Sequence, residues 1–411
     1  MGLKLVPYQF QSQEAEGRFI QATVRPHGAV ILNDLRTIAK GMGSSIPDTL
    51  TPRSKYEPEM LTEPLIRYFS KPKTNYDGEL LHRAVRKVGR MFYVGKLSAT
   101  DLEDVTYKPD TNSGAPHFRK KADVYPEELK LARRIRRGAA PPPATVFHRG
   151  KDMELARPVF GYPLSMVLLE SRFFEPYQRE IMRHHNPYVG GKPYSQLAGD
   201  VNELGWKSQF LMELDYSGFD GSISNRLARE AFAIIGNCFD MSETDKVDWD
   251  IVTRYFITCP MLLPTGNLVV GRSHGVPSGS MFTQVIDSIV NAICIEYLKL
   301  RTDVRITRYH VLGDDSVSAV YGARPDLKQV GDVIKELGVV VNLSKSKVRI
   351  SGKDPAYFLG HYWNHMRPTR DLEETWEKVL TPERIRKEFF SMDIIVRNKA
   401  YIERLRDYQN D

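Results

Sequence analysis

Cysteine is scarce in this chain. Its 411 residues contain three, Cys238, Cys259 and Cys294. That number is odd and Cys-x-x-Cys spacing is absent, which argues against a disulfide framework or a zinc site and for a reducing compartment. Long apolar runs are missing too, and none approaches the length of a membrane span. The opening Met1-Gly2-Leu3-Lys4-Leu5-Val6-Pro7 lacks the apolar core of a signal peptide, and Val6 spoils the myristoylation pattern. A soluble intracellular protein is expected. No Gly-x4-Gly-Lys-Ser/Thr string occurs, which disfavours a P-loop enzyme, and no repeat of solenoid period appears.

What is present begins with charge. Apolar and charged fractions of 41% and 27% are ordinary for a globular protein, and the length calls for at least two packed subdomains, since one core serves roughly 250–300 residues. The net charge of +7 is concentrated. Between Arg119 and Arg157 lie Arg119, Lys120, Lys121, Lys130, Arg133, Arg134, Arg136, Arg137, Arg149, Lys151 and Arg157, offset by Asp123, Glu127, Glu128, Asp152 and Glu154. Phosphate is the expected partner of such a segment.

Residues 1–60 have little periodicity and suggest an extended arm. From Asp77 a helix is expected, with Leu81, Ala84, Val85, Val88, Met91 and Phe92 inward and Arg83, Arg86, Lys87 and Arg90 opposite. The small-residue loop Thr111-Asn112-Ser113-Gly114-Ala115-Pro116 precedes a second helix, Glu127 to Arg137, stopped by Gly138 before Pro141-Pro142-Pro143. Arg149 to Val159 alternates like one strand, which would put Lys151 and Arg157 on the same face. Two cations so placed suit a triphosphate, but an edge strand also carries charge against aggregation.

Carboxylates then appear where they are costly. An apolar strand, Phe210 to Leu214, ends in Asp215, and Asp220 follows across a Ser-Gly turn before a helix from Asn225 to Asn237. Met261 to Val270 reads as a hairpin turning at Thr265-Gly266-Asn267. Gly275-Val276-Pro277-Ser278-Gly279-Ser280 runs into a helix with Phe282, Val285, Ile286, Ile289 and Ile293 on one face. Thr283, Asp287 and Asn291 step by four on another side, a stripe of short polar groups suited to sugar hydroxyls. Tyr309 to Val320 reads as two strands joined at Gly313-Asp314-Asp315. Alone, that turn is an ordinary solvated one. With Asp215 it supplies carboxylates from neighbouring strands, hard oxygen ligands of the kind that hold paired Mg²⁺ or Mn²⁺ ions in phosphoryl transfer.

Beyond it, Asp326 caps a helix ending at Gly338, Val339 to Val341 reads as a strand, and Asn342 to Lys347 as a lysine-bearing turn. Ala356 to Trp363 reads as a strand or hairpin, and Arg384 to Arg404 as an amphipathic helix. The order is βαββαβ-like, an α+β unit.

These motifs and their spacing resemble the viral RNA-dependent RNA polymerases, most like the partitivirus branch of double-stranded RNA viruses, with picobirnaviruses next. Asp215 with Asp220, Ser278-Gly279 with Thr283, and Gly313-Asp314-Asp315 look like that family's A, B and C motifs. The resemblance implies a right-hand fold of fingers, palm and thumb, the palm built on an antiparallel sheet. The arm and fingers would take residues 1–204, the palm 205–355 with a fingers insertion at about 226–272, and a short thumb 356–411.

It further implies Asp215 and Asp314 as metal ligands, Asp315 assisting, with Mg²⁺ or Mn²⁺ as cofactor. Asp220, Ser278 and Thr283 would meet the ribose with Asp287 or Asn291, either of which fits. Lys151 and Arg157 would bind the incoming triphosphate. Ser113, Gly114, Pro116 and Gly279 would guide the template, Lys345 or Lys347 would be the general acid, and Phe358-Leu359-Gly360 would grip the primer. The implied partners are template and nascent RNA, NTPs and a viral capsid protein, for a monomer acting in the host cytoplasm inside the particle. The rivals are a reverse transcriptase, and a non-catalytic RNA-binding or packaging protein that segment 119–157 alone would support.

Overall fold

A computed structural model describes residues 4–23, 61–150, 156–206, 208–364 and 367–369. At its centre lies the helix Thr283–Arg301, buried without a break from Val285 to Leu298. A helix enclosed on every side is one around which other elements pack.

In chain order, β1 (Lys4–Pro7), α1 (Gln13–Thr23), α2 (Thr62–Phe69), α3 (Gly78–Met91) and α4 (Lys121–Arg136) come first. β2 (Ala144–Gly150), β3 (Ala156–Gly161), α5 (Leu164–Ile181) and α6 (Tyr194–Trp206) follow. Next are β4 (Phe210–Leu214), the single turn α7 (Phe219–Ser222), α8 (Asn225–Gly236), α9 (Glu243–Thr258), β5 (Met261–Leu262), β6 (Asn267–Val270) and the central helix, α10. β7 (Arg305–Leu312), β8 (Asp315–Tyr321), α11 (Leu327–Lys335), β9 (Lys347–Ile350), β10 (Ala356–Phe358), β11 (His361–Asn364) and β12 (Arg367–Thr369) complete the described chain. Local chemistry sets several starts. The Asp77 carboxylate accepts the Glu79 and Leu80 amides of α3, and Asp326 accepts the Lys328 amide of α11. Ser242 and Asp245 form a reciprocal capping box on α9.

Strands β7, β8, β4 and β9 form, in that order, an antiparallel sheet. Alternation along β4 and β8 divides their side chains between two cores. Met212, Leu214 and Val320 join Val285, Ile286 and Ile289 of α10 on one face. Leu211, Val317 and Ala319 meet Leu197, Val201 and Leu204 of α6 on the other, with Phe358 and Trp363 closing that side. The α+β class and the βαββαβ-like order hold, with α8, α9 and the β5–β6 hairpin inserted ahead of α10. A second sheet, in the order β1-β6-β5-β2-β3, and the small sheet β10-β11-β12 flank this unit.

Four expectations need correction. The first residues are not extended throughout: β1 lies exposed along β6, but Gln13–Thr23 is a helix whose Phe19 packs on Phe10 and Phe118, and residues 24–60 lie outside the described residues. Helix α4 begins at Lys121, not Glu127. Pro126 resembles a first-turn proline, but the upstream turn is held by tertiary bonds, the Lys121 amide to the Thr111 carbonyl and the Ala122 amide to that of Pro109. The stretch from Arg149 to Val159 is a hairpin rather than one strand, with Arg149 opposite Arg157; Lys151 lies outside the described residues. Val339 to Val341 makes only one bridge, Tyr216 to Val341, because β9 occupies the edge of β4. The expected tail helix, residues 384–404, also lies outside the described residues.

Candidate active site

The register of the β7-β8-β4-β9 sheet brings the carboxylates together. β4 ends at Leu214, paired with Ser316, so Asp215 comes level with Asp315 one step further along the ladder. Leu312 pairs with Asp315, leaving Gly313-Asp314 as a two-residue turn. Gly313 has φ +62°, a conformation open to glycine at little cost. Asp315 touches solvent at the lip of the site but is crowded elsewhere; that desolvation first, then Asp314 and Asp215, pushes its carboxyl up to about 7. Asp287, buried in α10, is raised well above the carboxylate range by burial, then by Asp220 and Asp314. Five carboxylates from three segments thus act on one another.

Helix α10 holds the turn from beneath. The Ser288 hydroxyl accepts the Gly313 amide at 2.8 Å. Asn291 Nδ2 donates to the carbonyls of Gly313 and Asp314, each at 3.1 Å, and its Oδ1 accepts the Tyr216 hydroxyl at 3.0 Å. The polar stripe is therefore divided by role. Asn291 is committed to the turn and Thr283 Oγ1 to the Pro277 carbonyl at 2.9 Å, whereas Asp287 Oδ1 is buried with no hydrogen-bond partner among the described residues.

Asp215 is fixed through its backbone by the turn carrying Lys345. Its carbonyl accepts the Asn342 amide at 2.8 Å, and its amide donates to Ser346 Oγ at 3.0 Å. Lys345 itself is exposed, while Lys347 Nζ reaches the Ser344 carbonyl at 3.4 Å.

Two glycines press on the chain between β3 and α5. A Cβ on Gly279 would come within 1.9 Å of the Phe160 carbonyl oxygen, and one on Gly114 within 2.8 Å of that of Tyr162. Beside them, Ser278 Oγ accepts the Phe160 amide at 3.0 Å and the Ser113 carbonyl accepts the Leu164 amide at 2.9 Å. Ser113, Gly114, Ala115 and Pro116 are all buried, so the loop's backbone packs inside the protein. Glu170 on α5 supports the same region, accepting from the Ser280 hydroxyl at 2.7 Å and the Met281 amide at 2.8 Å.

The oxygen-only donor set, with Asp287 Oδ1 buried and unpartnered among the described residues, suits a hard divalent cation in kind. Among the described residues no three His, Cys, Asp or Glu side chains are drawn into a ready-made metal cluster, so the acids surround the turn rather than form a closed cage. Sequence reasoning missed Ser288, Ser346, Tyr216 and Glu170. Of these only Ser288 carried a signal, as a short polar residue next to Asp287 in a helix otherwise rich in apolar side chains.

A family model described as viral RNA-dependent RNA polymerase matches residues 97–388. The chain belongs to this family. Over 202 residues it is 31% identical to the RNA-directed RNA polymerase of Cryptosporidium parvum virus 1, covering 46% of this chain and 37% of that protein. Over 142 residues it is 30% identical to the RNA-directed RNA polymerase of Atkinsonella hypoxylon virus, covering 32% of this chain and 21% of the relative. The chain thus spans well under half the length of these relatives. The crystal structure of a human picobirnavirus RNA-dependent RNA polymerase superposes with a TM-score of 0.68 at 16% identity, covering 90% of this chain and 74% of that one. The right-hand polymerase fold is thereby shown, and the likeness to the partitivirus branch, picobirnaviruses next, is borne out. Among the described residues no helix is long and apolar enough to cross a membrane.

Proposed function

We propose that this chain performs template-directed RNA synthesis from NTPs, replicating and transcribing a viral RNA genome by two-metal nucleotidyl transfer. The carrying observation is the convergence of Asp215, Asp314 and Asp315 at one end of an antiparallel sheet, with Asp220 and Asp287 beside them. Asp215 and Asp314 are the principal ligands for Mg²⁺ or Mn²⁺, and Asp315 assists. When bound, such ions acidify the attacking 3′-OH and neutralise the departing pyrophosphate.

The chain's own residues do the rest. Asp220 and Asp287 read the ribose 2′-OH; Asp287 suits this better than Asn291, whose amide is spent on the turn. Ser278 and Thr283 hold the loop that borders the sugar. Lys345, on the turn bonded to Asp215, suits proton donation to pyrophosphate better than Lys347, which is engaged with Ser344. Lys151 and Arg157 neutralise the triphosphate, and the Ser113-Gly114-Ala115-Pro116 loop with Gly279 shapes the template path. We extend the proposal to the division into fingers, palm and thumb, to a monomer with a capsid-protein partner, and to action within the particle in the host cytoplasm.

The test is nucleotide incorporation by purified protein on single- and double-stranded RNA, with and without primer, with NTPs or dNTPs and Mg²⁺. NTP-specific, metal-dependent extension is expected. Equal use of dNTPs with a primer would establish the reverse-transcriptase-like alternative, and RNA binding without any extension the packaging one.

A further inference from the structure

Four consecutive carbonyls ahead of Ser278 are held by three side chains. Arg272 Nη1 donates to the carbonyls of His274 at 3.0 Å and Gly275 at 2.6 Å. The Tyr68 hydroxyl donates to that of Val276, and Thr283 Oγ1 to that of Pro277. The amides of the same strap point the other way, Gly275 to the Ile223 carbonyl at 2.7 Å and Val276 to the Asp220 carbonyl at 2.8 Å. Residues 274–277 are thereby clamped between the Asp220 turn and a layer of buried donors.

Tyr68 comes from α2, outside the span matched by the family model. Its ring is buried against Phe160, with centroids 4.7 Å apart. A Cβ on Gly221 would lie 3.2 Å from this ring and one on Gly275 3.1 Å from it, so both neighbouring segments close on the tyrosine as glycines. The Tyr68 carbonyl faces His274 Nε2 at 3.0 Å, joining backbone as well as side chain to the strap.

We propose that Tyr68 is a positioning residue that sets ribose selectivity, tying the 274–277 strap to Asp220 and so holding Asp220 in register with Asp287 and Ser278. The inference rests on the polymerase reading above. Loss of the hydroxyl leaves the buried Val276 carbonyl without its donor, and the strap's partner on its other side is the Asp220 backbone itself.

Tyr68→Phe keeps the ring. It is expected to raise KM for NTP and to lower the preference for NTP over dNTP about tenfold, kcat falling less. RNA affinity should be unchanged, and hydrogen exchange at the Val276 amide should quicken in the substrate-free protein. Gly221→Ala, which presses a methyl on the same ring, should lower the preference in the same direction and decides the matter if Tyr68→Phe does not fold. A wild-type chain that incorporates no nucleotide defeats the polymerase reading, while the exchange measurement still reports on the strap. An active wild type, with a folded variant whose preference, KM and Val276 exchange match it, overturns this inference alone.

Discussion

Two clusters of buried or crowded carboxylates in this protein have opposite surroundings. Between α4, α5 and α9, fully buried Asp248 receives Arg136 Nη2 at 2.6 Å and the Arg172 guanidinium as well, and Arg172 also grips Asp245 at 2.5 Å. At the end of the β7-β8-β4-β9 sheet and on α10 beside it, burial first and other carboxylates next raise the affinity of Asp315 and Asp287 for protons. The first cluster carries its counter-charge within the fold, so its work is structural. The second sets carboxylate against carboxylate, an arrangement suited to a cation from solution. Burial alone does not mark an acid as functional; the identity of its neighbours does.

The comparison can be broken most sharply by Asp314→Ala. Nucleotide addition should fall by about a thousandfold or more with no loss of thermal stability, measured by primer extension beside a melting curve. Asp248→Ala should do the reverse. It removes the carboxylate shared by Arg136 and Arg172 and leaves Arg172, whose side chain is 6% exposed, with Asp245 alone, so it should cost about 3 kcal/mol in denaturant unfolding, the low end for breaking a buried pair. Asn291→Ala lies between the two. The turn loses its carbonyl donors, so about 1–3 kcal/mol of stability and most of the activity should go together.

An effect read through pH concerns Glu170, whose carboxyl burial pushes up to about 8 although Ser280 and Met281 pull it down. Its folded pKa exceeds the unfolded one, so the folded state binds more protons between about 4.5 and 8. Stability should therefore fall as pH rises through that window. Melting temperatures across it should decline less for Glu170→Gln, and an unchanged slope would refute the assignment.

Much of the second cluster is legible in the sequence. Asp215 and Gly313-Asp314-Asp315 sit at strand ends readable from local alternation, and turn chemistry over two residues is a local property. Roles along α10 are not. A stripe at i, i+4 and i+8 places Thr283, Asp287 and Asn291 on one side of a helix but says nothing of what packs there, and the structure gives each a different partner. The first cluster shows in the sequence only as a run of positive charge, because Asp245 and Asp248 lie more than a hundred residues after Arg136. The β2–β3 hairpin is hidden for another reason: charged alternation looks the same in one long strand and in two paired ones.

By itself, the sequence determined the family, the α+β class, the strand-end aspartates and the glycine turn, all carried by short-range patterns of polarity and backbone freedom. Only the tertiary structure decided which polar side chains were spent on support. It put Asn291 and Ser288 under the turn, Ser346 on Asp215 and Tyr68 against the strap at Val276. Hydrogen-bond partners and desolvation depend on what surrounds a group in space, and those surroundings come from segments far apart in the chain.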